Sequence, residues 1–474
     1  AGTLFAGWNA GRGSAEAECG VAGGCPKVTT ISTESNQGIE KERYNRGYDG
    51  LHVLAKAATL RRDPNRLMAA MKVQQTWRPK EQRQITLRLD AMTYGGDALG
   101  RAGGKAIFVR GGIAGEWVRA EIVEEHDHFA RAQVTEVIEP SPKRVQPRCP
   151  HFGFNASSCG GCTWQHIDYA AQLRFKTEIV REQLRRIGKI ADAPVRETLP
   201  SPDVWAYRNH AQFSVTRDGQ LGLQAARSNR VTPIKVCHIV RPPIGEFVSR
   251  QSVADASGRV GVKRVDVRSS GSQLAVTLER DGRRAQSDAR IEFKVRGVLF
   301  RVSAESFFQV NTSLVETLVD LVLNRLDLHG GETVLDAYCG VGLFSRFVAL
   351  IAGQVIGIES SHSAVDDARE NLAQFSHVDL YEGRVEQMLA SLDAPIDAAI
   401  LDPPRAGCGQ NVIGAVADKQ IKRLVYVSCD PATLARDARR LVDRSYRLID
   451  VQPVDMFPHT FHIETVTLWS WNGG

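Results

Sequence analysis

From Glu332 onward, short apolar runs alternate with helical stretches, the signature of βαβ units and a parallel sheet. The first unit constrains the chain most. Residues 333–345, TVLDAYCGVGLFS, read as a strand ending in Asp336, a turn through Gly340 and Gly342, and a helix. Such a glycine turn lets the backbone approach a nucleotide closely at the carboxyl edge of a sheet. A third fingerprint glycine is replaced by Ser345, which weakens a nicotinamide or flavin reading. The following runs end in chemistry too: QVIGIES carries Glu359, DAAILDPPRAG carries Asp402, and RLVYVSC ends in Cys429.

Asp336, Glu359, Asp402 and Cys429 are thus expected at the carboxyl ends of strands in one doubly wound sheet, where ligands bind. A single acid there is as well explained as a helix N-cap, and a single cysteine as a small buried hydrophobe. Four together beside a glycine turn point to a site. The nucleotide that best fits Asp-x-x-x-Gly-x-Gly, a following Glu and Asp-Pro-Pro is S-adenosylmethionine.

Upstream the pattern is different. ITLRLDAM, KAIFVRG, EWVRAEIVEE and FARAQVTEVIE alternate at period two and predict a small OB-like barrel. Lys105, Arg110, Arg119 and Arg131 make an RNA-binding role as plausible as simple packing. Next comes CPHFGFNASSCGGCTWQH. Its Cys149, Cys159 and Cys162, with Cys237 of IKVCHIV as a fourth ligand, have the spacing of a metal site. Spacing alone leaves zinc and an iron–sulfur cluster both open. A helix over 169–188 follows, with Arg174, Lys176, Arg181, Arg185 and Arg186 expected on an exposed basic face. Residues 195–300 read mostly as strands, with turns at RDGQLG and ERDGRR.

Composition bounds the rest. At 474 residues the chain holds several domains, and 43% hydrophobic with 24% charged residues is ordinary for a globular protein. No uncharged apolar stretch reaches the length of a membrane span, and the first residues lack the basic start and apolar core of a secretory signal. A net charge of +6 permits a polyanionic partner. Nine cysteines, irregularly spaced, argue against a secreted disulfide framework and for a cytoplasmic protein. Residues 1–80 are unassigned: a helix over 51–71 is broken by Pro64, and Cys19 and Cys25 read as bystanders.

With these motifs in view, the chain resembles the bacterial RNA uridine-C5 methyltransferases that make 5-methyluridine in 23S ribosomal RNA. YGGDALGR and IFVRGGIAGEWV resemble the TRAM domain, and the cysteine segment with Cys237 resembles the family's [4Fe–4S] site. SFFQVN, LDAYCGVGLFS, LDPPRAG, YVSCDPATLARD and DMFPHTFHIETV resemble its catalytic motifs, in order. The resemblance implies a Rossmann-like methyltransferase domain over 301–474, preceded by a TRAM barrel over 81–141. Between them, 142–300 would hold the cluster, the basic helix and a mostly β domain. It implies a monomer acting on RNA, with 23S rRNA or tRNA as target. Gln309, Tyr338, Glu359 and Asp402 would hold S-adenosylmethionine, with Leu343 and Arg384 at neighbouring positions. Cys429 becomes the nucleophile and Glu464 the general base. Phe457, His459, Phe461 and His462 would stack on or hydrogen-bond flanking nucleotides. Two departures are visible: FNASS lengthens the gap after Cys149, and Leu343 stands where the family often has Asn.

Two other readings stay open on the residues. One is an exocyclic-amine methyltransferase, which needs no cysteine and has an aromatic residue where Arg405 stands. The other is a non-catalytic RNA-binding protein that keeps the fold.

Overall fold

The computed structural model describes residues 83–250, 261–280, 283–284 and 289–473. The 1–80 extension, with its expected helix and Cys19 and Cys25, lies outside the described residues.

Strands β1 (Gln84–Met92), β2 (Ala98–Ala102), β3 (Lys105–Arg110), β4 (Trp117–Glu125) and β5 (Phe129–Glu139) form a closed barrel in the order β1-β2-β3-β5-β4. Period-two alternation turns Ile85, Leu87 and Leu89 inward, and the β1–β4 pairing closes the sheet without a free edge. Between β1 and β2, Gly95 and Gly96 adopt φ of 104° and 92°, which only glycine takes without strain.

Helix α1 (Tyr169–Arg186) starts at Asp168, whose carboxylate accepts from the Ala171 N–H at 3.2 Å. Arg174, Arg181, Arg185 and Arg186 are exposed as expected, but Lys176 is fully buried. The reason is the helical period. Gln172, Phe175, Lys176, Ile179 and Val180 fall on one stripe, which faces the core.

Six strands, β6–β11, between residues 210 and 284 make an antiparallel sheet, with helix α2 (Pro242–Ser249) beside it. The hairpin of β12 (Arg290–Val295) and β13 (Val298–Ser303) shares a core with the last domain, through Ile291, Phe293, Phe300 and Val302. That domain runs α3 (Val315–Leu326), β14 (Thr333–Ala337), α4 (Leu343–Val348), β15 (Gln354–Glu359), α5 (His362–Leu372), β16 (Val378–Glu382), α6 (Val385–Ser391), β17 (Ala398–Leu401), α7 (Gln410–Asp418), β18 (Arg423–Ser428), α8 (Pro431–Val442), β19 (Tyr446–Val454) and β20 (Glu464–Trp471).

Its seven-stranded sheet has the order β16-β15-β14-β17-β18-β20-β19, parallel except for β20. Both faces are covered. Leu335, Ile356, Leu401 and Leu424 join the core shared with α1 and the barrel, while Val334, Val355, Ile400 and Val425 join the opposite one. The chain moves outward from β14 to β16 and then returns to β17, so the order reverses between β14 and β17. A crevice at the carboxyl ends of those strands is the ligand position in such sheets.

Candidate active site

The glycine turn after β14 forms one wall of that crevice. Tyr338, Gly340 and Gly342 all take positive φ, of 66°, 55° and 82°. At Gly342 a Cβ would lie 2.9 Å from Leu372 Cδ1, so both backbone and packing demand glycine. Beneath the turn, fully buried Asp336 accepts from Ser345 N–H at 2.9 Å and from Ser345 Oγ at 2.5 Å, while its Oδ1 has no partner. Ser345, which breaks the dinucleotide fingerprint, thus anchors the strand's acid instead. Burial pushes Asp336 up to about 7 despite those bonds.

Glu359 ends β15, and its carboxylate is oriented by backbone: Oε1 accepts from Ser360 and Ser361 N–H at 2.6 and 2.7 Å, and Oε2 from Gly340 N–H at 3.1 Å. The second strand's acid is therefore tied to the first strand's turn. The Tyr338 hydroxyl lies 3.5 Å from Glu386 Oε1 on α6. Gln309 is buried, and its carbonyl accepts from Asn209 Nδ2 at 2.8 Å. Leu343 opens α4 with its side chain in the apolar core, and Arg384, largely exposed, is the N-cap residue of α6.

Across the switch point stand Asp402, Cys429 and Glu464. The Asp402 N–H donates to Ala337 O at 3.3 Å, placing it directly after β17 beside the turn. Cys429 follows β18, and Asp430-Pro431 ends the strand and starts α8. Asp430 Oδ1 caps that helix by accepting from Ala432 and Thr433 N–H, and Pro431 fills its first turn. Glu464 opens β20. Ser428 pairs with Thr465 in the β18–β20 ladder, so Cys429 and Glu464 are the next residues outward on adjacent strands.

The electrostatics are unusual for surface-facing groups. Burial, then Glu464 and Asp402, pushes the Cys429 thiol up to about 12, with Arg405 opposing. Burial, then Asp402, holds the Glu464 carboxyl, only 4% exposed, well above the ordinary range. Burial, then Asp336 and Glu359, raises Asp402 to about 7. Burial in the crevice therefore favours the protonated forms of these groups, and a cation beside them would favour their ionisation.

The loop between β19 and β20, which carries Glu464 at its end, is braced by three elements. Lys176 of α1 bonds Asp455 Oδ1 at 2.5 Å and donates to the carbonyls of Phe457 and His462 at 3.1 and 2.8 Å. The N–H groups of Thr163 and Trp164, next to Cys162, both donate to His459 O, at 3.0 and 2.9 Å. On the barrel, Tyr94 meets the Phe461 ring edge-on at 5.5 Å. His459 is buried and stacked on Trp205 at 3.8 Å, so it serves the loop rather than a nucleotide. Burial lowers both His459 and His462 to about 4, leaving them neutral imidazoles. Sequence reasoning did not find Tyr94, Lys176 or Arg405 as contributors here. Only Arg405 had a signal, its position directly after Asp402-Pro403-Pro404.

The tRNA (Uracil-5-)-methyltransferase family model matches residues 265–381 and 383–471, and the TRAM domain model matches residues 82–135. An uncharacterized RNA methyltransferase of Streptomyces avermitilis is 34% identical over 426 residues, covering 81% of this chain and 98% of its own. The chain belongs to the RNA uracil-5-methyltransferase family. A second uncharacterized RNA methyltransferase, from Caldanaerobacter subterraneus, is also 34% identical, over 80% of this chain and 96% of its own. Among solved structures, a tRNA (uracil-54, C5)-methyltransferase of Pyrococcus abyssi in complex with S-adenosyl-L-homocysteine has the same fold. Its TM-score is 0.62 at 24% identity, over 81% of this chain and all of that one.

In this family member the expected RNA-binding barrel is the TRAM domain. Its cations are largely engaged within the barrel: Lys105 with Glu125, Arg119 with Glu136, and Arg131 with Glu124 and Asp97. Arg110 lies over the Phe154 ring at 5.7 Å. The four cysteines Cys149, Cys159, Cys162 and Cys237 come together around one small cavity, also lined by His151, Gln165 and His238. Among the described residues, no three His, Cys, Asp or Glu side chains are grouped closely enough to hold a metal ion. The donor set suits a thiolate-bound group in kind and in neighbourhood, but the thiols are not drawn to ligating distance. No helix among the described residues is long and apolar enough to cross a membrane.

Proposed function

We propose that this methyltransferase makes 5-methyluridine at one position of 23S ribosomal RNA, in the cytoplasm and as a monomer, through a covalent Cys429–C6 adduct. The observation that carries the proposal is the pairing of a thiol and a buried carboxyl, Cys429 and Glu464, at the edge of the cofactor crevice. An exocyclic-amine methyltransferase has no use for that pair, and a binding protein has no use for either group.

When bound, S-adenosylmethionine supplies an electrophilic methyl group on a sulfonium cation. Gln309, Tyr338, Glu359 and Asp402 would hold it, with Leu343 and Arg384 alongside. With its thiol proton released to solvent, Cys429 Sγ would add to C6 of the flipped uracil. C5, made nucleophilic by that addition, would take the methyl group as the donor's S–CH3 bond breaks and leaves a neutral thioether. Glu464 then removes the C5 proton, and the Cys429–C6 bond breaks with its electron pair returning to sulfur. Glu464 must be ionised for this step, so the cation-favouring crevice serves the base as well as the donor. Phe461 and His462, half-buried and close to Glu464 in sequence, would contact the target strand.

We also propose that Cys149, Cys159, Cys162 and Cys237 hold a [4Fe–4S] cluster. Its support is four thiols from two separate segments facing one cavity, in a chain whose seven described cysteines are all free. The role is structural or RNA-positioning, since the methyl transfer moves no electron. Iron and acid-labile sulfide are expected in anaerobically purified protein; stoichiometric zinc without iron overturns the assignment.

The test of the activity is incubation with labelled S-adenosylmethionine and unmodified transcripts of 23S rRNA and tRNA, followed by nucleoside analysis. Labelled 5-methyluridine in the 23S transcript is expected. Label on an exocyclic amine overturns the chemistry, and label in tRNA alone overturns the target.

A further inference from the structure

The β1–β2 turn of the barrel reaches the nucleophile through one side chain. Tyr94 Oη donates to Asp430 Oδ2 at 2.6 Å, across 336 positions of sequence. Asp430 directly follows Cys429, and its Oδ1 is already committed to Ala432 and Thr433 N–H at the start of α8. One carboxylate therefore joins three things: the end of β18, the start of α8 and the barrel.

The turn that presents Tyr94 is itself fixed. Thr93 N–H and Thr93 Oγ1 both donate to Asp97 O, at 2.9 and 2.8 Å, and Trp164 Nε1 donates to Gly96 O at 3.0 Å. A Cβ on Gly96 would lie 3.2 Å from Phe461 Cδ1, so the turn also presses on the loop three residues before Glu464. The same five residues thus touch the nucleophile's turn and the base's loop. Burial, then the bond to Asp430, holds the Tyr94 hydroxyl above the ordinary phenol range, so it remains a donor at working pH.

We propose that Tyr94 is a positioning residue for the reaction: its hydroxyl fixes the Asp430 carboxylate and thereby aims the Cys429 thiol. The barrel then belongs to the methyl-transfer apparatus as well as to RNA binding. The proposal rests on the reading of Cys429 as nucleophile. Two effects follow from the geometry. Loss of the hydroxyl frees the turn on which Cys429 sits, and small misplacements of a reacting atom are costly to rate. It also removes a donor from a carboxylate adjacent to a thiol that must ionise. The groups facing Cys429 are Glu464 from β20, Asp402 and Arg405 from the segment after β17, and Asp430 on its own turn.

The test uses the full chain, with single-turnover adduct formation on a 5-fluorouridine-substituted 23S rRNA transcript, or the tRNA transcript if that is the one methylated. For Tyr94→Phe, adduct formation is expected to slow about tenfold and its pH profile to move upward. RNA affinity and Tm should stay at wild-type values. Asp430→Asn should slow the step similarly, and the double variant should be no slower than the slower single one. A wild-type rate in Tyr94→Phe overturns the proposal, as does slowing that lies wholly in RNA affinity, or additive effects in the double variant. Cys429→Ala is run beside these. If it still methylates, the nucleophile assignment falls and takes this proposal with it; if it is inactive while Tyr94→Phe is normal, only Tyr94 is at fault.

Discussion

Two kinds of buried carboxylate divide this molecule. Glu116 accepts from Ile113 and Ser141 N–H and takes a two-pronged bond from Arg144. Asp437 accepts from Cys408 N–H, the Tyr426 hydroxyl, Arg436 and Arg440. Asp455 receives Lys176. In each case the fold supplies donors, and the acid pins a loop or helix in return. At the carboxyl edge of the sheet the arrangement is reversed. Among the described residues no donor reaches the carboxylates of Asp402 or Glu464, and Asp336 leaves one oxygen unpartnered. Among the described residues Glu116 and Asp437 meet donors on both oxygens, whereas Asp402 and Glu464 meet none. Asp455 and Asp336 each keep one oxygen unpartnered, and Glu359 is held by backbone N–H groups. That contrast is the physical mark of the site.

The largest expected effect breaks the comparison at its active side. Cys429→Ala should lower methyl transfer by about 10⁴-fold or more with Tm unchanged, because on the proposed mechanism it removes the nucleophile and not a support. Retention of full activity would remove Cys429 from the chemistry. Next comes Glu464→Gln, which should still form the RNA adduct but release it about 10²–10⁴-fold more slowly, as seen by adduct accumulating on a natural uridine transcript. In the wild type, kcat should rise with pH, since the raised Glu464 carboxyl must lose its proton to serve as the proposed base.

The structural side breaks differently. Lys176→Met strands Asp455 as an unpaired buried charge and should cost about 3–5 kcal/mol in denaturant unfolding. A loss below about 1 kcal/mol would place Asp455 with the crevice acids instead. The smallest effect sharpens the contrast through pH. Asp402 titrates near 7 in the folded chain against an ordinary 3.8, so the native state holds a proton the unfolded state has released. Its contribution to stability is full below about pH 4 and is lost as pH rises through about 7. Asp402→Asn should remove that decline, so that the variant gains steadily on the wild type as pH rises from about 4 to about 7. Parallel pH–stability curves for the two proteins would contradict it.

Much of this was legible in the chain. The doubly wound sheet showed in the alternation after Glu332, the barrel in its period-two runs, and the crevice acids in their place at strand ends. Cys429 on its own looked like a buried hydrophobe, and it was the company of Asp336, Glu359 and Asp402 that marked it. The basic helix was read less well. Lys176 lies among arginines in sequence, but the helical period puts it on the stripe with Phe175 and Ile179, where a neutralising Asp455 waits 279 positions away. The cysteine spacing brought four thiols to one cavity without bringing them to ligating distance.

What the sequence determined by itself is whatever depends on local pattern: strand and helix periods, glycine turns with positive φ, the Asp430-Pro431 cap, and the order of motifs along one sheet edge. Only the tertiary structure decided which distant groups meet. Tyr94 with Asp430, Lys176 with Asp455, and Thr163 and Trp164 with His459 all join residues some 279 to 336 positions apart. A hydrogen bond needs its partners within about 3 Å in a fixed direction. Local periodicity carries no information about that distance, which is set by how the barrel and α1 pack against the sheet.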